Sequence, residues 1–114
     1  VISDLVRWGL EEESLSAITR GGLVYYARAL AREVAPFNVT VNCISLGPTE
    51  EYLMARDPSS ASIKAIEEKL IQAIPMARTL SAQEVVDAVA FMCSSGADAV
   101  TGQTWAVNGG LTMF

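Results

Sequence analysis

The chain has 114 residues, about half of them apolar (51%), enough for one small core. Lys and Arg number 8 against 13 Asp and Glu, a net charge of −5 without a basic cluster, which argues against nucleic acid as a partner. Histidine is absent, which excludes histidine acid/base catalysis and histidine metal ligands, and no apolar run nears the roughly 18 residues of a membrane span.

Val1-Ile2-Ser3 reads as the end of a strand whose beginning is missing. Residues 4–13 form a loop with Trp8-Gly9 and the acidic run Glu11-Glu12-Glu13, a solvated helix start where carboxylates favour the positive dipole end. Over 15–34, Leu15, Ile18, Leu23, Tyr26, Leu30 and Val34 recur at helical spacing. Ala17, Ala27, Ala29 and Ala31 widen that surface, so the helix is expected to be buried on more than one side. Gly21-Gly22 costs on the order of 1 kcal/mol per glycine relative to alanine, tolerable where another backbone comes close. Pro36 stops the helix.

Residues 39–44 are β-branched and apolar and predict a buried strand, ended by Leu46-Gly47-Pro48. Residues 49–74 hold Glu50-Glu51, the polar break Asp57-Pro58-Ser59-Ser60 and a helical stretch over 63–74, closed by Pro75. Two weak helices around a break suggest a mobile flap. Ser81-Ala82-Gln83-Glu84 is a capping box, opening an amphipathic helix through Val85, Val86, Val89, Ala90, Met92 and Cys93. A last strand is expected over 104–107, followed by the turn Asn108-Gly109-Gly110 and an apolar tail. Cys43 and Cys93 sit in apolar patterns without a Cys-x-x-Cys, and are expected to be buried thiols of a cytoplasmic protein.

Strands alternating with crossover-length helices mean an α/β fold, a parallel sheet with helices on its faces. Ligands in such sheets sit beyond the carboxyl ends of the strands. Ser3, Leu46-Gly47 and Asn108-Gly109 fall on that edge, which places a cleft there.

Gly21-Gly22-Leu23, Ala29-Leu30-Ala31, Val41-Asn42, Gly47-Pro48 and the closing Thr101-Gly102-Gln103 to Val107-Asn108-Gly109-Gly110 stand in an order that resembles the short-chain dehydrogenase/reductase family. The resemblance covers essentially the whole chain and implies the carboxyl-terminal half of a three-layer Rossmann-like domain. The amino-terminal half would hold the phosphate-binding glycine turn, and nothing here matches Gly-x-x-x-Gly-x-Gly. The chain is therefore expected to be a fragment, a subunit of a split protein or one domain of a longer chain.

The resemblance also implies a site. The family's catalytic tyrosine and the lysine four residues on correspond to Ser16 and Arg20, on one helical face. The family often places its substrate-orienting serine thirteen residues before the tyrosine, the position of Ser3, with Asp4 competing if the loop differs by one residue. Ser16 is a far weaker acid than a phenol, and Arg20 carries charge without exchanging protons. Neither Tyr25 nor Tyr26 is followed four residues on by a lysine; Tyr52 leads to Arg56, within the flap. The bland alternative for Arg20 is a surface pairing with Glu11, Glu12 or Glu13. The cofactor positions correspond to Leu46, Gly47, Thr49 and Glu51. The family uses NAD or NADP; a carboxylate at Glu51 should repel a dinucleotide's phosphates, so weak or absent binding is expected.

Three functions follow from different classes. The first is a non-catalytic subunit that pairs with a homologous subunit in a homo- or heteromeric dimer or tetramer, through the helix over 15–34 and the carboxyl-terminal elements. The second is an active oxidoreductase that polarises a small carbonyl or alcohol with Ser3, Ser16 and Arg20. The third is a binding module for an acyl or nucleotide ligand.

Overall fold

The computed structural model describes residues 1–4, 7, 9, 13–54 and 61–113. Three parallel strands form one sheet in the order β1 (Ile2–Ser3), β2 (Cys43–Leu46), β3 (Thr104–Val107). Ile2 pairs with Ser45, and Cys43 with Thr104. Between the strands run α1 (Ser14–Val34), α2 (Glu50–Met54), α3 (Ala61–Ala73) and α4 (Ala82–Met92).

Side chains alternate across the sheet, so adjacent residues of β2 face opposite layers. Cys43 joins Ile2 and Ala27 of α1 in a core extended by Val24 and Val41. Ile44 lies on the other side, sharing a groove with Val89 and Met92 of α4. Phe91 of α4 stacks on Trp105 of β3, with centroids 5.2 Å apart. The sheet thus carries helices on both faces, as its alternating pattern predicts.

Helix α1 begins one residue before the expected stretch, and Glu13 at its N-cap makes no side-chain capping bond. Pro36 lies in a 3-10 turn, Ala35–Phe37, and the chain reverses at Asn38 with φ 58°, a left-handed conformation that asparagine tolerates.

Three expectations need correction. Strand β2 starts at Cys43, because residues 39–42 do not join the ladder. Val41 N–H bonds to Thr101 Oγ1 at 3.1 Å, and Asn42 Nδ2 donates to the Val100 carbonyl at 2.7 Å, so loop partners replace strand partners. Helix α1 is covered on one side only. Ala27 and Ala31 are buried, but Leu15 (80%), Ile18 (72%) and Tyr25 (72%) are exposed, because the sheet covers a single stripe of it. Cys43 is a buried thiol, whereas Cys93 at the C-cap of α4 is exposed. The polar break at 57–60 and the acidic pair Glu11-Glu12 lie outside the described residues.

The carboxyl edge of the sheet is tied together by one side chain. Asp4, directly after β1, is fully buried at 0% exposure. Its Oδ1 accepts from Ser45 Oγ at 2.7 Å. Its Oδ2 accepts from Asn108 Nδ2 at 2.7 Å and Thr112 Oγ1 at 2.6 Å. Its backbone N–H donates to the Leu46 carbonyl at 2.7 Å. The ends of all three strands and the tail therefore converge on one carboxylate. Burial of so polar a group is tolerable because every neighbour supplies a donor. Gly47 sits within this edge: a Cβ there would lie 2.8 Å from the Asn108 Cα, so only glycine lets the two backbones approach. Gly109 has φ 62°, and a Cβ there would lie 2.7 Å from Ile74 Cγ2, which fixes the turn after β3 against the end of α3.

The start of α4 is set locally. Ser81 Oγ accepts from Glu84 N–H, and Glu84 Oε2 accepts from Ser81 N–H at 2.9 Å, the reciprocal capping box expected from the sequence. Arg78 then clamps Glu84 bidentately at 2.6 and 2.9 Å. The Arg78 hydrogen bonds, followed by the Ser81 backbone N–H, hold the Glu84 carboxyl down at about 2 from its usual 4.5.

Two tests follow. Asp4→Ala leaves three buried donors without their acceptor and should lower stability on the order of 3 kcal/mol in denaturant titration of the full-length protein. Asp4→Asn should cost much less, because its oxygen can still accept from Asn108 and Thr112 while its amide donates to Ser45 Oγ. Equal losses in the two variants would show that only the space is being filled. For Glu84, the folded value lies below the unfolded one, so its contribution is complete above pH about 4.5 and fades as pH falls toward about 2. Glu84→Gln should therefore narrow the stability gap between pH 6 and pH 3, read from denaturation midpoints at the two values. An unchanged gap would contradict the clamp.

Candidate functional site

The carboxyl ends of β1 and β2 and the first two turns of α1 enclose a cavity of about 550 Å³. The lining brings together Ser3, Ser16, Arg20, Leu46, Gly47 and Thr49. All but one of the positions expected from the sequence thus meet at one place. The exception is Glu51, exposed in the first turn of α2, beyond the lining.

Each side chain arrives there for a structural reason. Ser3 is the last residue of β1, paired with Leu46, so both strand ends reach the cavity at one level. Ser16 and Arg20 stand one helical turn apart on α1, and Arg20 Nη1 donates to Ser16 Oγ at 2.6 Å. Gly47 N–H is held by the Val107 carbonyl at 2.9 Å, which turns the chain into Pro48. Thr49 forms a parallel bridge to Leu80, with Leu80 N–H bonded to the Pro48 carbonyl at 3.0 Å. The floor below Leu46 to Thr49 is therefore backbone-anchored, whereas Ser16 and Arg20 lie near the protein surface.

The geometry separates Ser3 from Asp4. Ser3 lines the cavity, while Asp4 is fully buried outside that lining and is consumed by Ser45, Asn108 and Thr112. Glu13 also lines the cavity, yet forms no ion pair with Arg20. Arg56, the partner of the alternative Tyr52 spacing, lies outside the described residues. The buried network was not visible beforehand. Its only sequence signal was an isolated acid directly after a strand and a threonine inside an apolar tail, and the two are 108 positions apart.

Among the described lining residues there is no tyrosine, lysine or histidine. Among the described residues, no group of three Cys, Asp or Glu side chains is placed to hold a metal, and no helix is long and apolar enough to cross a membrane.

Known proteins share this architecture. Residues 3–112 match the family described as enoyl-(acyl carrier protein) reductase. Nodulation protein G of Rhizobium meliloti is 39% identical over 96 residues, covering 84% of this chain and 37% of that protein. A 3-oxoacyl-(acyl-carrier-protein) reductase of Aquifex aeolicus is 37% identical over 93 residues, covering 82% of this chain and 36% of that protein. The chain thus spans little more than a third of the length of these relatives. Among solved structures, sorbitol-6-phosphate 2-dehydrogenase of Erwinia amylovora superposes with a TM-score of 0.87 at 23% identity, over 99% of this chain and 47% of the other. The F189W variant of actinorhodin polyketide ketoreductase, solved with NADPH, gives 0.85 at 27% identity, over 99% and 46%. With its parallel strand order, its two helical layers and its sequence match over nearly its whole length, the chain belongs to the short-chain dehydrogenase/reductase family.

Proposed function

We propose that this chain serves in a non-catalytic subunit of an oxidoreductase assembly, pairing with an active homologue. The observation that carries this reading is the Arg20–Ser16 hydrogen bond of 2.6 Å, at the two positions where the resemblance places the proton-transfer tyrosine and lysine. A phenol titrates near pH 10, within reach of a neighbouring cation's help; an alkyl hydroxyl does not, and an arginine keeps its proton. The pair therefore has no group able to pass a proton to a substrate oxygen.

The residues present also fit a nicotinamide dinucleotide poorly. Glu50 and Glu51 fill the first turn of α2 and are exposed, where they favour the helix dipole. Two negative charges, one at a position that the resemblance gives to the cofactor and one next to it in sequence, should repel a dinucleotide's phosphates. NADPH in the polyketide ketoreductase supports a dinucleotide role for the family, but this chain's own residues oppose it.

Association is the function that the preserved framework supports. Leu15, Ile18, Leu23, Tyr25 and Tyr26 are exposed along α1, and Val86, Phe91 and Trp105 along α4 and β3. Covering apolar surface is favourable by roughly 25 cal/mol per Å² before the costs of association. Gly22 lies on the same surface of α1 with open space around it, so a partner's backbone could approach closely there.

A second reading is favoured by one observation, that Ser3, Ser16 and Arg20 share a cavity. In it the three polarise a substrate carbonyl and the chain is active.

One assay separates the two. The purified full-length protein should show no oxidation of NADH or NADPH with a panel of ketones and 3-oxoacyl thioesters, and no reduction of NAD or NADP with the matching alcohols. Turnover abolished by Ser16→Ala would establish the second reading instead. A second experiment addresses pairing. The full-length protein should sediment as a dimer or tetramer, and Gly22→Glu should split it, because a charged side chain would fill the approach on α1. A monomeric parent, or an assembly that ignores the substitution, would overturn the interface.

A further inference from the structure

We propose that Arg20, with Ser16 and Ser3, binds the carboxylate of a small organic acid in the cavity at the ends of β1 and β2. This goes beyond the non-catalytic reading and does not require it, since binding an anion and passing a proton are separate acts.

The first support is a cation without an ion pair among the described residues. A guanidinium presents five donors in a planar fork and accepts nothing. Arg20 uses a donor on Ser16 Oγ, and among the described residues no carboxylate lies within ion-pair distance of it. This holds in a chain with a net charge of −5, where acidic partners are plentiful, and with Glu13 on the same cavity wall. The second support is orientation. The short bond to Ser16 fixes one edge of the fork while leaving other N–H groups to meet a ligand. Ser16 accepts in that bond, so its own O–H remains available to donate. Ser3, on the same wall, pairs through its backbone with β2, and its hydroxyl makes no hydrogen bond among the described residues. Two hydroxyls and a guanidinium edge are thus collected at the strand ends, where ligands of such sheets bind. The third support is the lining and size of the cavity. Leu46 and Pro48 give the cavity apolar walls, and about 550 Å³ falls in the range of small-molecule sites, roughly 300–1,000 Å³.

Charge selects the class of anion. Arg20 attracts and Glu13, Glu50 and Glu51 repel a ligand in proportion to its charge, so with one cation against three carboxylates a second negative charge adds no net attraction. The planar fork matches a planar carboxylate through two parallel hydrogen bonds, which lysine cannot reproduce.

The test is a titration of the full-length protein with sodium acetate at constant ionic strength, without dinucleotide, followed through the backbone amide resonances of positions 16 and 20. The expected result is a saturable shift at both, weakened about tenfold in Arg20→Lys, which keeps the charge but loses the fork. Sodium phosphate should bind no more tightly than acetate. A shift that does not saturate, equal binding by Arg20→Lys, or tighter binding of phosphate would each overturn the proposal. Because no cofactor is present, failure here leaves the absence of turnover standing, and turnover in the dinucleotide assay leaves the anion site standing.

Discussion

A carboxylate sealed from water, with three side-chain donors aimed at it, is the constraint on which this structure depends. Asp4 binds Ser45 at the end of β2, Asn108 at the end of β3 and Thr112 in the tail. Asn108 is satisfied in turn, donating to Thr112 and accepting from Gly110 N–H at 2.9 Å. A half-satisfied network of this kind would cost more than an apolar core, so its members hold one another in place. The consequence for the cavity is direct. Pinning Asn108 brings its backbone against Gly47, and Gly47 sets where Leu46 and Pro48 stand. The floor of the site is held because the buried network beside it locks Asn108 against Gly47.

Against that floor, Ser16 and Arg20 depart from the resemblance in kind. Conformation and chemistry are separable here. The helix that carries the pair is held by Ala27 and Ala31 in its middle, well away from positions 16 and 20. Residues at those positions can therefore change without disturbing the packing of α1 on the sheet. The same logic applies at Glu51, where a carboxylate suits the first turn of a helix while opposing an anionic cofactor. The apolar residues left exposed on α1 and α4 sit on surfaces this chain does not itself cover, and their exposure is what the pairing reading explains.

How much was legible depended on the range of the interaction. The capping box at Ser81 and Glu84 could be read directly, since both partners lie within one turn. The extent of α1 was legible from its periodicity, and the parallel sheet from the alternation of elements. The start of β2 was not, because Val41 and Asn42 are captured by the loop around Thr101, and β-branched residues alone do not reveal which backbone pairs with which. Periodicity also shows which side chains share a face of a helix but not whether anything lies over it, hence the misplaced burial of Cys93 and of the second side of α1. Strand ends marked Ser3 and Leu46-Gly47 as one edge, whereas Ser16, Arg20 and Thr49 were implied there by the resemblance. The Asp4 network did not, because its partners lie 41 to 108 positions away and share no pattern with it.

The central proposal is that the framework can still position the tyrosine and lysine that the resemblance assigns to positions 16 and 20. It is tested most directly by restoring them in the full-length protein as Ser16→Tyr, Arg20→Lys and Glu51→Thr together, and measuring NADPH oxidation against the same carbonyl panel. The account predicts carbonyl-dependent oxidation in the restored variant and none in the parent. Equal rates in the two, including none in either, would contradict it.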